Sequence, residues 1–246
     1  AIPTNSLNKT FANFTKSIKK DRYLESIQAT FMLLTSYKKF PTDDEFKIHL
    51  SSKDLYNFRN RSYWLRRLEN FGRKERVNVN DYTIEHIMPQ NENLSQEWKN
   101  TLGENWQDIK AQWLHTLGNL TLTGYNSEYS DKPFEEKRDM EGGFAKSPLK
   151  LNEYLRDSNL IWNEDAIKSR ASILSNQAAN VWVSPKLETS ILETYKAPKI
   201  SNSNYTIDDH PNLLKTQNKK LFEEFRKEVL SLDSNVTEEF LKLYIA

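Results

Sequence analysis

Cysteine is absent from this 246-residue chain, which excludes disulfides, cysteine nucleophiles, iron–sulfur clusters and thiolate zinc sites. Any metal must therefore sit on nitrogen and oxygen ligands. Long apolar runs are missing as well. The longest covers residues 29–34 and is interrupted by Thr30, far short of the roughly 20 residues that cross a bilayer. No charged start followed by an apolar stretch opens the chain, so the expectation is a cytoplasmic protein with no membrane partner. Glycine and histidine are scarce, at six and four residues, so the places where they fall carry information.

What is present is a globular composition. With 37% hydrophobic residues the chain can bury a sizeable core and divide into more than one compact unit. A formal net charge of +1 hides an asymmetry. Arg59, Arg61, Arg66, Arg67, Arg73, Lys74 and Arg76 outnumber Glu69 and Glu75 in one short segment, which would draw a polyanion. A solvated helix face paired with those two glutamates is the equally weighted structural alternative. The tail from Leu221 is acidic, with Glu223, Glu224, Glu228, Asp233, Glu238 and Glu239 against Arg226, Lys227 and Lys242. The chain starts without methionine and stops within an amphipathic pattern at its last residues, so both ends are expected to be cut from something longer.

From Leu7 to Phe71 apolar residues recur at helical spacing, as in Tyr23, Ile27, Phe31 and Leu34. Pro41 to Glu45 forms a turn and capping signal ahead of a helix carrying Phe46 and Leu50. Residues 77–90, with Val77, Val79, Tyr82, Ile84 and Ile87, read as a short strand ended by Pro89. Trp98, Trp106 and Trp113 lie about two helical turns apart and predict helices whose aromatic face packs inward. Gly118 and Gly124 bracket an alternating second strand, Asn119 to Thr123. Asp131 and Pro133 start a helix holding Phe134, Lys137 and Met140, and further helices are expected over residues 149–157 and 164–182.

Within this order, strand, helical insertion, strand, helix, stand the residue types that phosphodiester hydrolysis requires. His86 can take a proton near neutral pH. Glu85, Asn126 and Asp131 are hard oxygen donors suited to magnesium or manganese. Taken alone, His86 is more often a structural histidine at a turn, and Asn119 and Asn126 are ordinary turn residues. His115, just before the second strand, reads as a backbone-bonding histidine, and His49 and His210 are assigned no role.

YTIEHIMPQ, followed by LGNLTLTGYNS and SDKPFEEK, resembles the C-terminal HNH nuclease domain of GmrSD-type modification-dependent restriction enzymes, a ββα-metal (His-Me finger) family. The paired motifs reverse the odds for His86. The resemblance covers about residues 44–183 and implies a mainly α fold with an inserted ββα-metal motif, of α+β class. It implies His86 as general base, Asn119 as the residue bracing the histidine loop, Asn126 as a metal ligand, Glu85 as a second ligand, and Mg2+ or Mn2+ as the ion. Lys132 falls where the family places a basic residue for transition-state stabilisation. Lys137, with the arginine-rich group, is expected on DNA.

The domain reading is a helical region at 1–76, a nuclease core at 77–183, a linker at 184–204 and a small acidic helical domain, apparently truncated, at 205–246. The resemblance further implies foreign or modified DNA as substrate, within phage defence, and an N-terminal ParB-like nucleotide-hydrolysing domain or subunit that these residues do not contain. An RNase or nonspecific nuclease on the same finger, and a non-catalytic nucleic-acid-binding module, stay open as alternatives.

Overall fold

A computed structural model describes residues 4–196, 205–232 and 238. Its contacts divide the chain into two compact units, residues 1–187 and 188–246. Residues 197–204 of the expected linker and most of the chain's last stretch lie outside the described residues.

The first unit runs α1 (Thr4–Ser17), α2 (Tyr23–Met32), α3 (Asp43–Ser52), α4 (Arg61–Asn70), β1 (Thr83–His86), α5 (Gln96–Leu102), α6 (Trp106–Trp113), β2 (Leu120–Thr123), α7 (Asn126–Tyr129), α8 (Phe134–Asp139) and α9 (Glu164–Val181), with a 3-10 helix at Lys150–Arg156. The expectation of a mainly helical chain is met, with a two-stranded sheet as the β component. The second unit contains α10 (Thr189–Glu193) and α11 (Thr216–Leu232). Among the described residues no helix is long and apolar enough to cross a membrane.

Local chemistry accounts for the helix ends. The Thr42 hydroxyl accepts from Glu45 N at 3.2 Å while the Glu45 carboxylate accepts from Thr42 N at 2.8 Å, a reciprocal capping box that starts α3. Asn163 caps α9 by accepting from Ala166 N. The aromatic stripe turns inward as its spacing predicts: Trp98 and Trp113 are buried and Trp106 packs partly buried beside them.

The first strand is shorter than its composition predicts. Val77 pairs with a side chain instead of a strand: Asn70 accepts from Val77 N at 2.8 Å and donates to Val77 O at 3.2 Å. Its backbone is thereby satisfied outside any sheet, and the ladder is limited to the four residues β2 can match. β1 and β2 are antiparallel, with His86 opposite Leu120 and Thr83 opposite Thr123, and Ile87 N reaching Asn119 O extends the pairing by one step.

The strand pair is pinned to α9 by an unusual device. Arg170 is fully buried, and its guanidinium donates to the carbonyls of Leu117, Gly118, Leu120 and Leu151 at 2.7–3.1 Å. A Cβ on Gly118 would stand 2.4 Å from Ile167 O, so only glycine lets β2 approach α9 closely enough for those bonds. Gly124, the other bracketing glycine, meets nothing within 4 Å. Two apolar clusters flank the pair. One, around Trp98, Trp162 and Phe134, lies under α5, α6 and α8; the other, around Leu65, Leu120 and Leu174, joins α3, α4 and α9.

Candidate functional site

Successive strand side chains point to opposite faces, so Glu85 and His86 leave β1 on different sides. Each side carries a distinct polar arrangement.

On the His86 side, Nε2 of His86 lies 3.0 Å from Nδ1 of His115. The Tyr56 ring meets His86 edge-on, with centroids 4.4 Å apart, and stacks on His115 at 5.2 Å with an interplanar angle of 12°. The Arg61 guanidinium covers Tyr56 at 4.5 Å and donates to Tyr56 O. His86 is only 4% exposed, so a phosphate reaching it requires neighbouring side chains to move. Burial, reinforced by the neighbouring His115, Lys137 and Arg61 and opposed by Asp54, pulls the His86 pKa down to about 3. The imidazole is neutral at working pH.

Asn119 holds this arrangement from below. Its Oδ1 accepts from Met88 N at 2.7 Å and Trp162 Nε1 at 3.2 Å; its Nδ2 donates to Met88 O at 3.1 Å and Leu114 O at 3.0 Å. Every hydrogen-bonding site of a fully buried amide is thereby filled. Met88 lies two residues after His86 and Leu114 one before His115, so a single side chain sets the spacing of the two segments that bear the histidines. His115 O in turn accepts from the N–H groups of Leu55 and Tyr56, which ties in the aromatic cover.

On the Glu85 side, Lys137 of α8 donates to Glu85 Oε1 at 2.6 Å and to the carbonyls of His86 and Ile87 at 3.2 Å. Burial raises the Glu85 pKa and lowers that of Lys137, each shift offset by the partner's charge. The expectation that Lys137 contacts DNA is thus corrected. The residue is fully buried and its ammonium is committed to three partners, because it falls on the inward stripe of α8 with Phe134.

Asn126 opens α7 and donates through Nδ2 to Ile84 O at 2.9 Å and Thr83 Oγ1 at 3.1 Å, which fastens it to β1 and leaves its Oδ1 as the donor atom for a cation. Asp131, whose charge is felt by Glu85, accepts from Asn91 at 2.7 Å. Oxygen donors of this kind suit Mg2+ or Mn2+. Among the described residues no three histidine, aspartate or glutamate groups converge, so an ion on Glu85 and Asn126 would complete its shell with water and phosphate oxygens, a coordination habit of Mg2+.

The remaining residues singled out in the sequence separate by exposure. Lys132, two residues ahead of α8, pairs with Glu136 of that helix at 3.3 Å. Arg73 is partly committed to structure, bonded to Glu69 Oε1 at 2.6 Å and Pro148 O at 3.0 Å, while Glu69 also caps the N–H groups of Lys150 and Leu151. Arg59, Arg61, Arg66, Arg67, Lys74 and Arg76 are exposed and make no ion pair among the described residues. Glu69 therefore neutralises one member of the basic group, and Glu75 none. Sequence reasoning gave His115 only a backbone-bonding role and passed over Tyr56; the nearest signal was the position of His115 two residues ahead of the second motif and four before Asn119.

No curated protein and no solved structure matches the chain. A family model, GmrSD restriction endonucleases, C-terminal domain, matches residues 40–177, which span α3 to α9 and contain both histidines, Asn119, Asn126 and the Glu85–Lys137 pair. The chain belongs to the family of C-terminal domains of GmrSD restriction endonucleases.

Proposed function

We propose that this chain is a metal-dependent DNA endonuclease in which β1, β2 and the following helices act as an HNH-type ββα finger. The observation that carries the reading is His86: an imidazole kept neutral by its surroundings, at the end of a strand whose adjacent residue and facing asparagine offer hard oxygen donors. His86 removes the proton from a water that attacks the phosphorus in line. The P–O3′ bond breaks, the departing 3′ oxygen takes a proton from solvent water, His86 returns its own proton to solvent, and the products are a 5′-phosphate and a 3′-hydroxyl. A divalent ion on Asn126 would supply charge neutralisation at the scissile phosphate, with Glu85 joining it only by exchanging its Lys137 partner for the ion. Asn119 fixes the His86 loop, and the exposed arginines of α4 and its flanks hold the rest of the duplex.

The depressed pKa of His86 makes it a weak base in the free protein. An incoming phosphate counters the cations that depress it and strengthens the base as substrate docks. Foreign or modified DNA as the natural target, and a ParB-like nucleotide-hydrolysing partner, belong to this reading through the family alone.

The test is cleavage of plasmid, single-stranded DNA and RNA by the chain with Mg2+ or Mn2+, beside an EDTA control. Metal-dependent nicking or cutting of the plasmid is expected. Cleavage confined to RNA would replace the DNA reading, and nucleic-acid binding without cleavage under any metal would favour a binding module.

A further inference from the structure

We propose that Tyr63, backed by Trp64 and Trp182, is a stacking platform for an unpaired DNA base, with Arg66 and Arg67 taking the phosphates on either side. The inference rests on the reading of DNA as substrate and adds the feature of it that this surface selects, a base outside the paired stack.

The platform lies at the rim of the apolar cluster that joins α3, α4 and α9. Trp182, just past the end of α9, is its centre: the ring centroid stands 4.5 Å from Trp64, 6.1 Å from Tyr63 and 6.4 Å from Phe46. Trp182 Nε1 also donates to the Tyr63 hydroxyl at 3.4 Å, which steadies the tyrosine ring. Trp64, Trp182 and Phe46 are partly buried on the cluster, and packing accounts for them. Tyr63 is 44% exposed at their edge.

Charge decides what fits there. At about 100° per residue along α4, Leu65 and Leu68 point inward and Tyr63 outward, with Arg66 about 60° to one side of it and Arg67 about 40° to the other. Both arginines are exposed, and among the described residues neither pairs with a carboxylate; Arg66 bonds Asn80 Oδ1 at 3.3 Å. The acids just before Phe46 are already neutralised, Asp43 by Lys186 at 3.2 Å and Asp44 and Glu45 by Lys47 and Lys39, each at 3.7 Å. An apolar peptide would gain nothing from the two guanidiniums, and a quaternary ammonium would be repelled by them. An aromatic face between unneutralised cations matches a nucleotide, whose base stacks while its phosphates meet the charge.

In a paired duplex both faces of each base are covered by neighbours, so only a base outside the stack can lie on the Tyr63 ring. The platform is also close to the candidate site. Arg61, at the start of α4, covers the Tyr56 ring that meets His86, and Tyr63 stands about 3 Å farther along the helix axis.

Fluorescence anisotropy in EDTA, which removes cleavage from the measurement, compares a fully paired duplex with the same duplex carrying one unpaired base. The unmutated chain is expected to bind the bulged duplex on the order of 10-fold more tightly. Tyr63→Phe should keep that preference; Tyr63→Ala should lose it while binding the paired duplex as before, the exposed ring being dispensable for the core. Arg66→Gln combined with Arg67→Gln should weaken both duplexes alike. Equal affinity of the unmutated chain for the two duplexes, or a preference that survives in Tyr63→Ala, overturns the proposal and leaves the DNA reading in place. Failure of the unmutated chain to bind either duplex overturns both.

Discussion

On one face of β1 a carboxylate is buried against a lysine 2.6 Å away; on the other, one residue along, an imidazole is buried against a second imidazole 3.0 Å away. The first pair is ionic and fixed, with the Lys137 ammonium also bonded to the carbonyls of His86 and Ile87. In the second, burial keeps the His86 imidazole neutral, and its neighbour is another ring rather than an ion. Burial acts on both but leaves different chemistry: the ionic face anchors α8 to the strand, and the neutral face retains a lone pair. A buried group that must exchange a proton is served by partners that hold it without charging it.

Breaking the ionic face should give the largest effect on stability. Lys137→Met leaves Glu85 buried beside two carbonyls without its cation, at a cost of about 3–5 kcal/mol, whereas adding Glu85→Gln to it should restore most of the loss. Urea unfolding of the single and double variants measures this. Equal destabilisation by both would mean that the pair contributes packing alone.

The neutral face should show itself in pH dependence. The folded pKa of His86, about 3, lies below its ordinary 6.5, so the unfolded chain binds the proton first as pH falls. The contribution is full above pH 6.5 and is lost as pH drops toward 3, by about 2 kcal/mol between pH 6.5 and 5. Thermal melts across that range should fall by roughly 2–4 °C for each kcal/mol lost, and His86→Gln should flatten the trend. An unchanged slope in the variant would assign the loss to other groups.

The smallest expected effect contrasts buried with exposed cations. Arg66→Gln and Arg67→Gln should each reduce the salt slope of duplex binding by about 0.9, while Lys137→Met leaves that slope unaltered. Fluorescence anisotropy from 50 to 200 mM salt separates these outcomes.

Much of this was legible in the sequence because it is local. The Thr42–Glu45 cap and the inward tryptophans follow from residues a turn or two apart. The motif placed β1, β2 and the asparagines in order. Where the reading failed, the deciding partner was distant. Lys137 owes its burial to Glu85, more than fifty residues earlier, although its spacing from Phe134 already put it on the inward stripe. Val77 left the expected strand because Asn70 satisfies its backbone. His115 and Tyr56 gained their place only when Asn119 and the 3.0 Å ring contact brought three separate segments together.

The central claim is that His86 is the base of a DNA-cutting site. The most direct measurement is single-turnover plasmid cleavage, with Mg2+ or Mn2+, by the unmutated chain and by His86→Ala of matched thermal stability. Metal-dependent cutting that disappears in the variant, with duplex binding retained, is the predicted result. Equal cutting rates for the two proteins would contradict the account.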